Sequence, residues 1–258
     1  MVAEGARNGG KRGSATLHVD VRVAHGEGFA LDVRFDAAPG VTVLFGPSGS
    51  GKSTTLAAIA GLARPTSGRI ALGEETWFDA ASRVDVPVHK RAVAFVFQSL
   101  ALFPHMTAAQ NIAYGMHRDL DREAKRKRAL ALLERLRVAP LADRKPATFS
   151  GGEAQRVALA RALATEPRVV LLDEPFSALD RELRVDLVGD LREFVRELDV
   201  PVLFVTHHRQ EARALGQRVV VLDRGRVERV GTVDELGGGG RDMSFDETPL
   251  DPDGMMRR

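Results

Sequence analysis

Hydrophobic and polar positions divide this chain into stretches of different rhythm. Residues 17–23 (Leu-His-Val-Asp-Val-Arg-Val) alternate apolar and polar, and 29–35 continue in the same style. Period-two alternation predicts half-buried strands with one wet face, so two or three antiparallel strands are expected beside the core. Residues 41–45, 92–97, 169–172 and 200–206 are largely apolar throughout and predict buried strands. A short strand is expected at 69–73, after a turn at 64–68. Strands at 218–222 and 226–230, joined by Asp223, Arg224 and Gly225, are expected to close the sheet.

Helical patterns fall at 56–62, 121–137, 154–163 and about 181–198. The stretch 121–137 sets Arg122, Lys125, Arg126 and Arg128 opposite Ala129, Leu132, Leu133 and Leu136, an amphipathic face pair. Residues 102–165 differ in kind from the strand-rich parts and read as an inserted helical subdomain. Residues 1–14, rich in Gly, Arg and Lys, read as a disordered leader. Gly237 to Gly240 end the folded part, and the polar tail to Arg258 reads as disordered. That leaves 15–236 as the folded domain.

Composition narrows the classes. A chain of 258 residues, 44% hydrophobic, suits one large or two small domains. A net charge of +2 gives little reason to expect nucleic acid. The cluster Lys125-Arg126-Lys127-Arg128 is short and has no aromatic platform between its charges, so it reads as a solvated helix face. With no cysteine there is no disulfide, cysteine metal site or thiol nucleophile, which is compatible with cytosol. No apolar run approaches the ~18 residues of a membrane span, and the N-terminus lacks the apolar core of a secretory signal.

The chemistry centres on Gly46, Pro47, Ser48, Gly49, Ser50, Gly51, Lys52, Ser53 and Thr54. Gly46, Gly51, Lys52 and Ser53 satisfy G-x-x-x-x-G-K-[ST] between a strand and a helix, the context of a phosphate-binding P-loop. The glycines let the backbone turn so that its N–H groups form an anion nest at a helix N-terminus. Lys52 brings a point charge to the β- and γ-phosphates, and the Ser53 hydroxyl suits Mg²⁺, which prefers oxygen ligands. A Gly/Ser-rich surface loop is the plainer alternative. The strand before it and Lys-Ser-Thr behind it disfavour that alternative.

Other candidates are weaker alone. Gln98 ends an apolar run, where a polar side chain either faces a site or simply caps a strand. Ser150, Gly151 and Gly152 precede a strong helix and offer a second anion-binding terminus, though Ser-Gly-Gly is more often a turn with a cap. Asp173 and Glu174 end a strand. Asp173 suits Mg²⁺ and Glu174 suits a general base that orients water. The pair His207 and His208 raises a metal site, but adjacent positions do not share a face and no third ligand stands at a matching spacing. One histidine near a γ-phosphate is the better reading.

Together these pieces resemble the ATP-binding subunit of an ATP-binding-cassette (ABC) transporter, over about 17–236. Residues 46–54 resemble its Walker A motif, and Gln98 its Q-loop glutamine. Residues 149–153 resemble the signature motif, and 169–174 Walker B. Residues 177–180 resemble the D-loop, and His207 the switch histidine. The resemblance implies an α/β fold: a P-loop NTPase with an ABC-type core, a mainly parallel sheet, an antiparallel β-subdomain and an inserted helical subdomain. It implies ATP and Mg²⁺ as cofactors, with Lys52, Gln98, Glu174 and His207 in catalysis and Ser53, Gln98 and Asp173 at the metal. The P-loop residues with Ser150, Gly151, Gly152 and Asp180 would hold nucleotide. Two cassettes would pair head to tail, with ATP between Walker A of one and the signature of the other. Motion would pass to transmembrane permease subunits, with 102–112 as the docking surface, and a substrate-binding protein would act indirectly. The chain would then lie peripherally on the cytoplasmic face of the cell membrane.

Departures are few. Glu153 stands where the signature usually has Gln, and His208 where Asp is common after the switch histidine. No Tyr or Trp precedes Trp77 to stack on adenine; His25 and Phe29 are candidates. Residues 95–98, 102–106 and Asn111-Ile112 look like importer ATPases for molybdate, sulfate, iron or polyamine. The signature and the short strand region before Walker A look most like the molybdate group. Many of those carry an extra C-terminal β-domain for regulation, and the tail here is too short for one. Three other readings remain. A DNA-maintenance ATPase would need a long coiled coil between Lys52 and Ser150, where no sustained heptads occur. A ribosome-acting ABC protein normally carries two cassettes, and an exporter half usually a fused membrane domain.

Overall fold

The computed structural model describes residues 15–25, 29–177, 179 and 181–238, so the leader and the tail beyond Gly238 lie outside the described residues. The alternating stretches are β1 (Leu17–His25) and β2 (Phe29–Ala37), paired antiparallel with Leu17 opposite Ala37. Val19, Val21, Leu31 and Val33 are buried, while Asp20, Arg22, Asp32 and Arg34 face water. Next come β3 (Gly40–Phe45), α1 (Lys52–Ala60), β4 (Ser67–Leu72), β5 (Glu75–Asp79) and β6 (Val84–Asp85). The antiparallel layer therefore has five strands, not two or three. The strand β5 was illegible because Trp77 and Phe78 are adjacent and both buried, which breaks the alternation.

The chain continues through β7 (Val93–Val96), α2 (Ala108–Tyr114), α3 (Arg122–Arg135) and α4 (Gly151–Leu163). Then follow β8 (Val169–Asp173), α5 (Arg181–Arg196), β9 (Pro201–Thr206) and α6 (Arg209–Leu215). The last elements are β10 (Arg218–Asp223), β11 (Arg226–Thr232) and α7 (Val233–Gly238). The helix α7 carries regular structure past Gly237, where the sequence reading had ended it. Between β7 and β8 the chain is helical, and buried Asn111 pins the loop before α2. Its side chain accepts from the Phe103 N–H and donates to the carbonyls of Phe103, Met106 and Thr107.

One 11-stranded sheet runs β6-β5-β4-β1-β2-β11-β10-β3-β9-β8-β7. The block from β10 to β7 is parallel. The hairpin of β10 and β11 does not close the sheet at an edge, as expected from order along the chain. It lies in the middle, β11 beside β2 and β10 beside β3. The reason is burial: Val219, Val220, Val221 and Leu222 are all at most 1% exposed, so β10 needs cover on both edges and both faces. Alternate residues of β3 feed two cores. Val41, Val43 and Phe45 pack with Leu187, Leu191 and Leu215 of α5 and α6, and Leu44 packs with Leu56 and Ile59 of α1.

Parallel register places the site. Phe45 is paired with Thr206, and Asp173 with Val205. The loop after β3, the end of β8 and the end of β9 therefore meet at one edge, where ligands sit in open α/β sheets.

Candidate functional site

The loop after β3 is shaped by backbone that side chains would obstruct. A Cβ on Gly46 would lie 2.1 Å from the Leu222 carbonyl oxygen. Gly51, at φ +101°, is the N-cap of α1, and no side chain caps that helix. Its first-turn N–H groups are thus left for an anion. Lys52 is 5% exposed and donates to the carbonyls of Gly46 (2.9 Å) and Pro47 (2.8 Å), which leaves a third proton. Burial lowers its ammonium below the ordinary value, while Glu174 and Asp173 pull it up. Ser48, Gly49, Gly51, Lys52, Ser53, Thr54, Gln98 and Glu174 line one open cavity of 580 Å³. Ser50 turns inward: its hydroxyl is buried without a hydrogen-bond partner, and Gly225 N–H donates to its carbonyl.

Two pairs stand around that cavity. Ser53 Oγ donates to Asp173 Oδ1 at 3.0 Å. Burial raises the Asp173 carboxyl above the ordinary carboxylate value, opposed by the Ser53 bond and Lys52 and reinforced by Glu174. His207 Nδ1 lies 3.3 Å from Glu174 Oε1. Glu174 itself has φ +44°, a left-handed backbone that costs on the order of 1–3 kcal/mol in a non-glycine residue. It is held there by its N–H to the Val205 carbonyl (3.2 Å) and by Ser177 Oγ donating to its carbonyl (3.0 Å). Gln98 Nε2 donates to the same Ser177 hydroxyl at 3.3 Å. Gln98 is thus linked to Glu174 through Ser177, a connection that spacing along the chain does not reveal.

The donor set fits a nucleotide with Mg²⁺: an uncapped helix start, a lysine with a spare proton, and a hydroxyl beside a carboxylate oxygen. Among the described residues no group of three His, Asp or Glu side chains could hold a metal ion.

Ser150, Gly151 and Gly152 do not line the cavity. Ser150 caps α4 in a reciprocal box, its Oγ accepting from Glu153 N–H while Glu153 Oε2 accepts from Ser150 N–H (2.7 Å). Glu153 therefore has a local function of its own, and that bond holds its carboxyl below the ordinary value. Asp180 and the side chains of His25 and Phe29 lie outside the described residues.

Comparison with known proteins places this geometry. The family model described as "ABC transporter" matches residues 31–177. The chain belongs to the ABC transporter family. A molybdenum import ATP-binding protein, ModC 1 of Azotobacter vinelandii, is 44% identical over 210 residues, 81% of this chain and 58% of its own length. A sulfate/thiosulfate import ATP-binding protein, CysA of Mesorhizobium japonicum, is 48% identical over 211 residues, 80% of this chain and 59% of its own. The chain thus spans less than two thirds of these two relatives. Among solved structures, a dimeric ATP-binding cassette in a post-hydrolysis state bound to ADP and Pi aligns with TM-score 0.70 at 31% identity. That alignment covers 84% of this chain and 98% of the solved one, so the fold is that of an ABC ATPase cassette.

Two supports of this ABC cassette escaped the sequence reading. Arg91 is 1% exposed and donates to the carbonyls of Ala58, Ile59 and Val86 and to Asp85. It thereby fixes the far end of the P-loop helix. Thr206 donates to buried Glu211 (2.6 Å) just before His207. A lone arginine and a lone glutamate carry no pattern, so nothing in the sequence singled them out.

Proposed function

We propose that this chain hydrolyses ATP to drive import of a small oxyanion. The observation that carries the reading is the single cavity shared by Lys52, Ser53, Gln98 and Glu174, with Asp173 against Ser53 and His207 against Glu174. In this reading the backbone of 46–54 and Lys52 hold the phosphates of ATP. Ser53, Asp173 and Gln98 supply oxygens for Mg²⁺, which when bound neutralises phosphate charge. Glu174 takes up the proton of the attacking water, and His207 orients Glu174 and the γ-phosphate.

Ser150, Gly151 and Gly152 offer a helix terminus to an anion away from that cavity. A second cassette, head to tail, would complete each site, and the partner is a second copy of this chain. The dimeric state named for the solved cassettes supports this arrangement. Permease subunits would dock near 102–112, with a substrate-binding protein acting through them. No described helix is long and apolar enough to cross a membrane; the place of a peripheral subunit on the cytoplasmic face is taken from the import ATP-binding names of the relatives.

The relatives' names divide between molybdenum and sulfate/thiosulfate import. Sulfate and thiosulfate are oxyanions, molybdenum in the form of molybdate is one too, and molybdate is our first assignment. The test is cellular molybdenum and radiolabelled sulfate uptake in a strain lacking the protein, at limiting supply. Restoration of molybdenum by wild type but not by Glu174→Gln supports molybdate. Restoration of sulfate uptake alone moves the assignment to sulfate, and a defect in neither overturns the oxyanion reading.

A further inference from the structure

Behind His207, one arginine of α5 ties together two loops that flank the nucleotide site. Arg184 Nη2 donates to the carbonyl of Leu179, in the loop after Glu174, at 2.9 Å. Its Nη1 lies 2.8 Å from His208 Nε2. A guanidinium can only donate, so His208 Nε2 must be the acceptor. The His208 ring is therefore neutral, with its proton on Nδ1. Arg184 Nε stands 3.6 Å from Glu211 Oε1, and Glu211 is 4% exposed. Glu211 Oε2 accepts from Thr206 Oγ1, and that hydroxyl in turn accepts the His208 N–H at 3.0 Å. The backbone of His207 is thus fixed from both sides, and its ring lies 4.1 Å from that of His208, centroid to centroid.

We propose that Arg184 is a positioning residue for His207, acting through the neutral His208 ring, and that protonation of His208 releases this hold. The proposal rests on the ATPase reading of the same site. Protonated His208 has no lone pair at Nε2, and it sets a second cation against a guanidinium whose side chain is only 22% exposed. Among the described residues, the charged groups that line one cavity with His208 are Arg184 from α5 and Arg209, Glu211 and Arg213 from α6. The His207 ring lies beside it, tilted by 41°, and Glu174 stands beyond His207. Burial raises the Glu211 carboxyl above its ordinary value, opposed by the Thr206 hydrogen bond and by Arg184, which weakens it as a counter-charge. The arrangement is particular to a histidine at this position: a carboxylate there would accept from Arg184 throughout the neutral and mildly acidic range.

The test is steady-state ATP hydrolysis by the full-length protein from about pH 5.5 to 8.5, the range where imidazole titrates. Wild type is compared with His208→Gln, which keeps an acceptor oxygen and does not titrate, and with Arg184→Lys. Lys52→Ala sets the background. On acidification, wild-type kcat should fall about threefold or more beyond the fall of His208→Gln, with KM nearly constant. Arg184→Lys should have reduced kcat at every pH. The inference is overturned if His208→Gln keeps the full acid limb of wild type, including the case in which only its melting temperature changes. Wild-type hydrolysis no greater than Lys52→Ala would overturn the ATPase reading itself. Hydrolysis with an unchanged acid limb in His208→Gln would overturn this inference alone.

Discussion

Ser53 donates a 3.0 Å hydrogen bond to Asp173, although the two stand 120 positions apart in the chain. The sheet brings them together: β3 and β8 both pair with β9, so the P-loop and the acidic strand end share one edge. In the ATPase reading this oxygen pair is the protein side of the Mg²⁺ site. Asp173→Asn should then weaken Mg²⁺ on the order of 10–100-fold, the usual effect of losing a group at a metal site. A Mg²⁺ titration of hydrolysis checks this, and an unchanged midpoint contradicts it.

The same carboxylate predicts a pH effect on stability. Burial raises Asp173 above its ordinary value of 3.8, so the folded chain holds this proton longer than the unfolded one. The stability from that difference is full below the unfolded pKa and is lost as pH rises through the folded pKa. Without nucleotide or Mg²⁺, Asp173→Asn should therefore gain on wild type as pH climbs from about 4 into the range above the usual carboxylate value. Urea unfolding of both proteins across that range measures the difference. A gap that moves the other way rules out the raised carboxyl.

Lys52 is buried and committed to the carbonyls of Gly46 and Pro47. Among the described residues, Lys52→Ala removes the only side-chain cation lining the cavity assigned to nucleotide. Nucleotide affinity should drop at least about tenfold, which is 1.4 kcal/mol. Equilibrium binding of a fluorescent ATP analogue tests this, and unchanged binding contradicts the P-loop assignment.

Arg91 supports that loop from the far end of α1. Its guanidinium is 1% exposed and holds the carbonyls of Ala58 and Ile59. Arg91→Ala leaves the buried Ile59 carbonyl without this donor, while the Ala58 carbonyl keeps the Gly61 N–H and the partly exposed Asp85 keeps Arg64, so the cost should be about 1–3 kcal/mol, the range for a buried acceptor left unsatisfied. Denaturant unfolding should show that loss, and a change below about 1 kcal/mol would mean that water replaces the side chain.

What the sequence disclosed divides along physical lines. Residues 46–54 were legible because phosphate chemistry dictates both residue type and spacing. The strands at 17–23 and 169–172 were legible because burial imposes a period. Central placement of β10 and β11 was not, since strand order depends on which edges are covered rather than on order along the chain. Ser177, which accepts from Gln98 and bonds to the Glu174 carbonyl, lies in a resembled motif, but its contacts arise only from folding. Glu153 read as a departure from a pattern, whereas the structure gives it the reciprocal cap of Ser150.

In the ATPase reading the ATP site is composite, closed by two cassettes and opened by hydrolysis. The most direct test is light scattering of Glu174→Gln in Mg-ATP, with bound nucleotide measured in the same sample. With Glu174 replaced, ATP still binds while water is poorly activated, so a stable dimer carrying two ATP is expected. A protein that binds ATP yet remains monomeric would contradict it.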